Sequence, residues 1–397
     1  MEDLRIYWFL PVFLTSMIFV AIVVPSIVKI ANSMNLYDTV DERKVHAGNV
    51  PRLGGISFLP AIFFSLLIVI AVMSLYSPFE LTLHYGPITE VMLACAGCVV
   101  LYLTGIMDDV VGVSYKVKFL VQIFAAVLIC ASGLWISNLY GIFGIHSLHP
   151  LLGVPLTILI IVLIVNSINL IDGIDGLASG LCIIGSIGYS AIFFYKNMNT
   201  NLLLSSSMLG VLLMFYIYNT LGRRGVTKIF MGDTGSLTMG YLIAFFAIKL
   251  CCIDMQTGIM TAKDGSYTVY ALSLVLIPMM DVFRVFFARI RNGKSPFYPD
   301  KRHIHHKFMA LGFSMRQTRY LIFALSILFF AMNMTMFHIL HWNITVVIIV
   351  CAVIWIIMNL LITRRVCVLV LAKDPVALRY AEIGQGVIFP RKRKRRN

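Results

Sequence analysis

The amino-acid sequence predicts an all-α polytopic membrane protein, on three observations. Hydrophobic residues make up 59% of the chain and charged residues 13%, against about 25% charged in a typical soluble domain. The apolar residues gather in runs of about 20, enough to cross a hydrocarbon core of about 30 Å. Lys and Arg concentrate in alternate connections between those runs, as the positive-inside rule describes.

About eleven transmembrane helices follow in order: about 6–31, 53–76, 88–107, 117–140, 151–171, 177–195, 201–219, 229–250, 268–290, 319–340 and 343–362. The first run is too long for a signal-peptide core and lacks a small-residue cleavage site, so no cleavable leader is expected. With the N-terminus outside, the inward connections hold Arg43, Lys44 and Arg52; Lys116 and Lys118; Arg223, Arg224 and Lys228; and the basic 291–318 stretch. The outward side keeps Arg5, Lys196, Lys249 and Lys263. An odd number of spans then leaves the C-terminus in the cytoplasm. Residues 1–362 read as one integral membrane domain with its active site on cytoplasmic loops. Residues 363–397 read as a basic tail ending "RKRKRRN".

The net charge of +14 sits in those inward loops and that tail, where it meets anionic lipid headgroups. A nucleic-acid partner is therefore not expected. The eight cysteines form no framework. Cys95 and Cys98 lie inside an apolar run without a second pair, and read as helix packing. Cys251 and Cys252 adjoin on the outward side. Asn343-Ile-Thr345 fits a glycosylation sequon but abuts a span.

The polar residues are one-sided. "DTVDERKVHAGNVPRLGG" (38–55), "GIMDDVVGVSYKVKF" (105–119), "NSINLIDGIDGLASG" (166–180), "GRRGVTKIFMGDTGS" (222–236) and "MMDVFRVFFARIRNGKSPFYPDKRHIHHKF" (279–308) all fall on the inward face. A transporter would place such groups near the midplane, on broken helices. A water-soluble substrate arriving from one side fits the pattern better.

Asp108 and Asp109 end a span, where acids oppose the helix dipole and adjacent carboxylates repel. Solvated helix-end carboxylates are one reading. A metal or phosphate contact for one and a lysine partner for the other is the second, with Lys116 and Lys118 following shortly. Asn166, Asn169 and Asp172 recur every third residue and share one broad helical face. Gly173 and Gly176 then let the backbone approach a ligand. Oxygen donors of this kind suit Mg²⁺ or Mn²⁺. "FMGDTGS" places Asp233 at a helix start, where free N–H groups attract phosphate. The Asp-Thr-Gly-Ser match to soluble aspartic proteases is set aside, and no Walker A lysine follows. "DKRHIHHKF" offers Arg302, His303, His305 and His306 as cationic and hydrogen-bonding contacts to a diphosphate. Its spacing is poor for zinc.

Taken in order, "GIMDD", "NSINLIDGIDGLASG", "IFMGDTGSL" and "PDKRHIHHKFMALGFS" resemble the polyprenyl-phosphate N-acetylaminosugar-1-phosphate transferases, over about residues 38–315. The HIHH form and "DERKVH…VPRLGG" resemble the N-acetylglucosamine branch more than the muramoyl-pentapeptide branch. The resemblance implies that undecaprenyl phosphate or a similar lipid attacks the β-phosphate of a UDP-amino sugar and releases UMP. The product is a lipid-linked precursor of an envelope polysaccharide, made at the inner membrane. It also implies Mg²⁺, with Mn²⁺ as the alternative, and by analogy a homodimer.

Carried over by motif, Asp233 and Asn169 resemble metal ligands. Asp108 resembles the carboxylate that positions the lipid phosphate, with Asp109 in support. Asp172 and Asp175 look like metal-shell and nucleotide contacts, completing a catalytic set of four aspartates. Lys44, His46, Arg52, Lys116, Lys118, Asn166 and Asn219 are the expected substrate contacts, with Arg302, His303, His305 and His306 closing over the sugar diphosphate. The alternatives are a muramoyl-pentapeptide donor or, in a different class, an ion-coupled secondary transporter.

Overall fold

A computed structural model of the protein describes residues 8–34, 36, 50–76, 85–253, 265–293, 295 and 302–380. It is almost entirely helical, as the apolar runs require. Lys44, His46 and the terminal "RKRKRRN" lie outside the described residues.

The chain divides into two compact units, Met1–Val275 and Leu276–Asn397. The first holds α1 (Phe9–Ser33), a single 3₁₀ turn at Gly54–Ser57, α2 (Phe58–Tyr76), α3 (Tyr85–Val111) and α4 (Tyr115–Ala131). A hairpin follows, β1 (Asn138–Ile142) paired antiparallel with β2 (Ile145–Ser147). Then come α5 (Pro150–Ile171), α6 (Leu177–Tyr195), α7 (Asn199–Leu221), α8 (Gly232–Cys251) and α9 (Ser266–Leu274). The second unit holds α10 (Leu276–Arg291), α11 (Ile304–Ala310), α12 (Met315–Met334) with a π turn to Ile339, α13 (Ile344–Leu371) and α14 (Pro375–Tyr380).

Among the described residues, nine helices are long and apolar enough to cross a membrane. Nine of the eleven expected spans correspond to them. The two others are helical but different. The chain expected to span 117–140 forms a helix of 17 residues, about 25 Å long, and then turns into the hairpin. The expected 268–290 span is two helices broken at Val275. The last span runs nine residues past the expected end, since α13 continues to Leu371. Asn343 of the sequon is its N-cap, accepting a hydrogen bond from the Thr345 N–H at 2.8 Å.

α8 is the axis of the first unit. Its apolar character runs all round, as a fully enclosed helix requires, and its whole membrane-length window is buried. It packs on α3 and α5. Small residues permit the close crossings: a Cβ on Gly105 would lie 2.4 Å from Thr234 Cα, and one on Gly55 would lie 2.1 Å from the Gly235 nitrogen. Tyr241 ties α8 to α4 by donating to the Ala125 carbonyl at 2.9 Å. At the C-terminal end of α8, Lys249 pairs with Glu90 of α3 at 2.5 Å, both side chains about 4% exposed.

Candidate active site

Four connections of the first unit meet at the N-terminus of α8. α3 ends where Gly112 takes φ +79°, and its N–H returns to the Asp108 carbonyl at 3.0 Å. The Val113 N–H bonds Asp108 Oδ1 at 2.7 Å, which fixes that carboxylate at the helix end. Ser114 then caps α4 and sets Lys118 one turn inside it. Lys118 Nζ reaches Asp108 Oδ2 at 3.1 Å and Asp233 Oδ2 at 2.8 Å. One ammonium thus bridges two carboxylates from different helices.

Asp109 does something else. Its Oδ1 accepts the Asp233 N–H at 2.8 Å, and its Oδ2 accepts the Thr234 N–H at 2.9 Å and the Thr234 hydroxyl at 2.6 Å. It therefore caps the first turn of α8 from a neighbouring helix, satisfying donors that a helix start leaves open. Gly232 is required there. Its φ is +68°, and a Cβ would meet the Arg52 carbonyl at 2.1 Å and Asp109 Oδ2 at 2.5 Å. The "VPRLGG" segment lies alongside: Phe230 N–H donates to Pro51, while the Gly54 and Gly55 N–H groups donate to Phe230 and Met231.

The 166–180 stretch supplies the opposite wall. Asn169 donates to Ser236 at 2.8 Å, and its side-chain oxygen accepts no hydrogen bond among the described residues. Asp172 is the C-cap of α5, and its carboxylate makes no hydrogen bond among the described residues. Burial pushes its pKa up to about 7, with Asp233, Asp175 and Asp109 adding to the rise and Arg52 opposing it. Asp175 pairs with Lys228 at 2.5 Å.

Two of the expected contacts make hydrogen bonds within the scaffold. Asn166 donates to Gln122 at 2.5 Å and to the Val162 carbonyl at 2.8 Å, so it joins α5 to α4. Asn219 is buried; it accepts from the Gly176 N–H at 2.5 Å and donates to the Ile229 carbonyl at 2.8 Å. It clamps the loop after α5 to the segment before α8. Lys116 is exposed and apart from the bridge that Lys118 makes. Lys228 was legible only as an inward charge, and its partnership with Asp175 is an addition.

One oxygen from each of Asp108, Asp109 and Asp233 lies within 4.8 Å of the others. Asp108 Oδ1 and Oδ2 are taken by the Val113 N–H and by Lys118, and Asp233 Oδ2 by Lys118, whereas the Asp172 carboxylate and the Asn169 side-chain oxygen accept no hydrogen bond among the described residues. Oxygen donors of this kind suit a hard, oxygen-seeking cation, and Lys118 places a positive charge between Asp108 and Asp233.

In the second unit, Asp281 organises the histidine segment. It is buried, and accepts from Arg284 at 2.7 Å, from His303 Nδ1 at 2.9 Å and from the Ile304 N–H at 3.1 Å. The His303 and His305 rings stack 5.9 Å apart at 4°. His305 is 1% exposed, and burial with His306 and His303 beside it holds its pKa below the usual range. Arg302 and His303 are nearly as enclosed. Asp281 was missed in the sequence; the signal for it was an acid in an apolar run, three residues before Arg284.

The fold defines a polytopic membrane protein, with an acidic, lysine-bridged centre at one end of a buried helix. The comparisons with known proteins then give the family. Residues 91–251 match glycosyl transferase family 4. Undecaprenyl-phosphate alpha-N-acetylglucosaminyl 1-phosphate transferase of Escherichia coli (strain K12) is 30% identical over 301 residues, 74% of each chain. The Yersinia pestis protein of that name is 33% identical over 299 residues, covering 74% of this chain and 75% of the relative. Probable undecaprenyl-phosphate N-acetylglucosaminyl 1-phosphate transferase of Bacillus subtilis (strain 168) is 30% identical over 334 residues, 83% of this chain and 85% of the relative. The chain belongs to glycosyl transferase family 4.

Proposed function

We propose that the protein transfers N-acetylglucosamine 1-phosphate from UDP-N-acetylglucosamine to undecaprenyl phosphate, releasing UMP. The relatives' names support the lipid and the sugar. The observation that carries the chemistry is the Asp108–Lys118–Asp233 bridge, with the buried Asp172 carboxylate within electrostatic reach of Asp233 and Arg52. Two anionic phosphates must approach each other in this reaction, so positive charge has to be held where they meet.

Asp233, Asn169 and Asp172 are the residues we assign to holding Mg²⁺, with Mn²⁺ as the alternative. The ion would supply charge neutralisation and polarisation of the phosphoryl oxygens. Asp108 orients the lipid phosphate through charge and through Lys118, whose ammonium can turn from a carboxylate to a phosphate oxygen. A general-base role is unnecessary, because a phosphate monoester with a second pKa of about 6 is already largely ionised at pH 7. Asp109 and Asn219 hold the two walls in register. Asp175, Lys228 and Arg52 face the nucleotide phosphates. Arg302, His303, His305 and His306 recognise the sugar diphosphate. The site faces the cytoplasm of the inner membrane, with the N-terminus outside.

The test uses UDP-N-acetylglucosamine labelled with ³²P in the β-phosphate, and undecaprenyl phosphate in detergent. Label should move into the organic-extractable lipid as UMP appears. Release of UDP with no label in the lipid would mean that sugar alone is transferred, and would refute the reading.

A further inference from the structure

The histidine segment carries a fixed imidazole. Asp281 Oδ2 lies 2.9 Å from His303 Nδ1, and the same carboxylate accepts from Arg284 Nε and Nη2 and from the Ile304 N–H. Arg284 Nη2 also donates to the Arg302 carbonyl at 2.6 Å. Asp281 is 0% exposed, and a buried carboxylate encircled by donors remains ionised and acts only as an acceptor. The proton between it and His303 is therefore carried on Nδ1. This leaves Nε2 as the second polar edge of the ring. Nε2 makes no hydrogen bond among the described residues, and the His305 ring lies parallel to that of His303, with centroids 5.9 Å apart and planes at 4°. Backbone on both sides of the imidazole is held as well, through the Arg302 carbonyl and the Ile304 N–H.

We propose that Asp281 is a positioning residue for donor recognition: it orients His303 and fixes its tautomer, so that Nε2 is presented to the sugar diphosphate. This rests on the assignment of residues 302–306 to the UDP-sugar. A carboxylate behind an imidazole sets the ring's orientation and which nitrogen carries the proton. With Nδ1–H engaged, Nε2 accepts from a hydroxyl or amide N–H when the ring is neutral, and donates to a phosphate oxygen when the ring is charged. The carboxylate itself touches no substrate.

The two amide replacements of histidine separate this role from a structural one. In His303→Asn the side-chain N–H stands near the place of Nδ1 and can still bond Asp281, but nothing stands at Nε2. In His303→Gln the amide reaches the region of Nε2 and leaves Asp281. Initial rates of UMP release would be measured with UDP-N-acetylglucosamine varied at saturating undecaprenyl phosphate, alongside thermal unfolding. The expected result is a donor KM raised about tenfold in both variants and in Asp281→Asn, with the lipid KM unchanged. The double variant Asp281→Asn/His303→Asn should be no worse than His303→Asn alone, because the two act through one atom.

A near-normal donor KM in His303→Asn would make the pair a structural tie and overturn the proposal. Multiplying effects in the double variant, or a normal KM in His303→Gln, would do the same. Should Asp281→Asn fail to fold, the two His303 variants decide alone. No UMP from the wild-type protein would overturn the transferase reading and this inference with it. An altered Asn variant beside an active wild type supports both.

Discussion

Asp109 closes the N-terminus of the helix that Asp233 begins, accepting the Asp233 and Thr234 N–H groups at 2.8 and 2.9 Å. The neighbouring Asp108 faces Lys118 instead. Two adjacent carboxylates thus do different work, one building the site and one lining it. Asp109→Ala should lower stability by about 1–2 kcal/mol, the range for a lost helix cap, and reduce activity by displacing Asp233. Thermal unfolding in detergent and single-turnover rates would show both changes. An activity loss without any change in melting would place Asp109 among the reacting groups.

Lys118 occupies the position between Asp108 and Asp233 that a cation would take. Lys118→Met should cut the transfer rate at least a hundredfold, about 2.7 kcal/mol by the tenfold-per-1.36 rule. It should also enlarge the melting shift that Mn²⁺ gives over EDTA, since no ammonium then competes for the carboxylates. A metal-induced shift equal to that of the wild type would argue against competition.

The pKa of Asp172, raised to about 7, sets a pH dependence. An acid with a folded pKa above its unfolded value binds more protons when folded. Its contribution to stability is present below about pH 4 and is lost as pH rises to about 7. A bound cation needs the ionised form. Apparent Mg²⁺ affinity should therefore rise from pH 6 to 7 and level off above about 7.5, and Asp172→Asn should flatten that rise. Titrating metal by thermal shift at several pH values measures it; a wild-type profile in the variant would point to another group.

The Lys249–Glu90 pair lies at the opposite end of α8 from Asp233, nearly closed to solvent. Lys249→Met leaves a buried carboxylate without its counter-charge and should destabilise by about 3–5 kcal/mol. Adding Glu90→Leu should recover most of that loss. Equal melting temperatures for the single and double variants would contradict a paired burial.

The helices were legible because apolar runs of bilayer length have few other solutions. The exceptions were local. The apolar run from 117 to 140 reads as continuous, although Gly133, which takes φ +94° just past Ala131, is a helix-stop signal; the hairpin that follows has no comparable mark. Motif order singled out Asp108, Asp233 and the 166–180 stretch, which the structure brings together at the start of α8. It could not separate ligands from struts, because Asn166 and Asn219 look like donors in a sequence whether they meet substrate or backbone. The partners that tie them to other elements, Gln122 at 44 residues and Ile229 at 10 residues along the chain, follow no helical spacing. Asp281 was obscure for the same reason, its His303 partner being 22 residues away.

The most direct measurement is lipid-dependent UMP formation from UDP-N-acetylglucosamine by wild-type protein and Asp233→Asn, each with Mg²⁺ and with EDTA. The account predicts UMP from the wild type with Mg²⁺ alone. It predicts loss of at least a thousandfold in the variant, about 4 kcal/mol of transition-state stabilisation, with melting close to the wild type. A well-folded Asp233→Asn protein that releases UMP at near wild-type rates would contradict it.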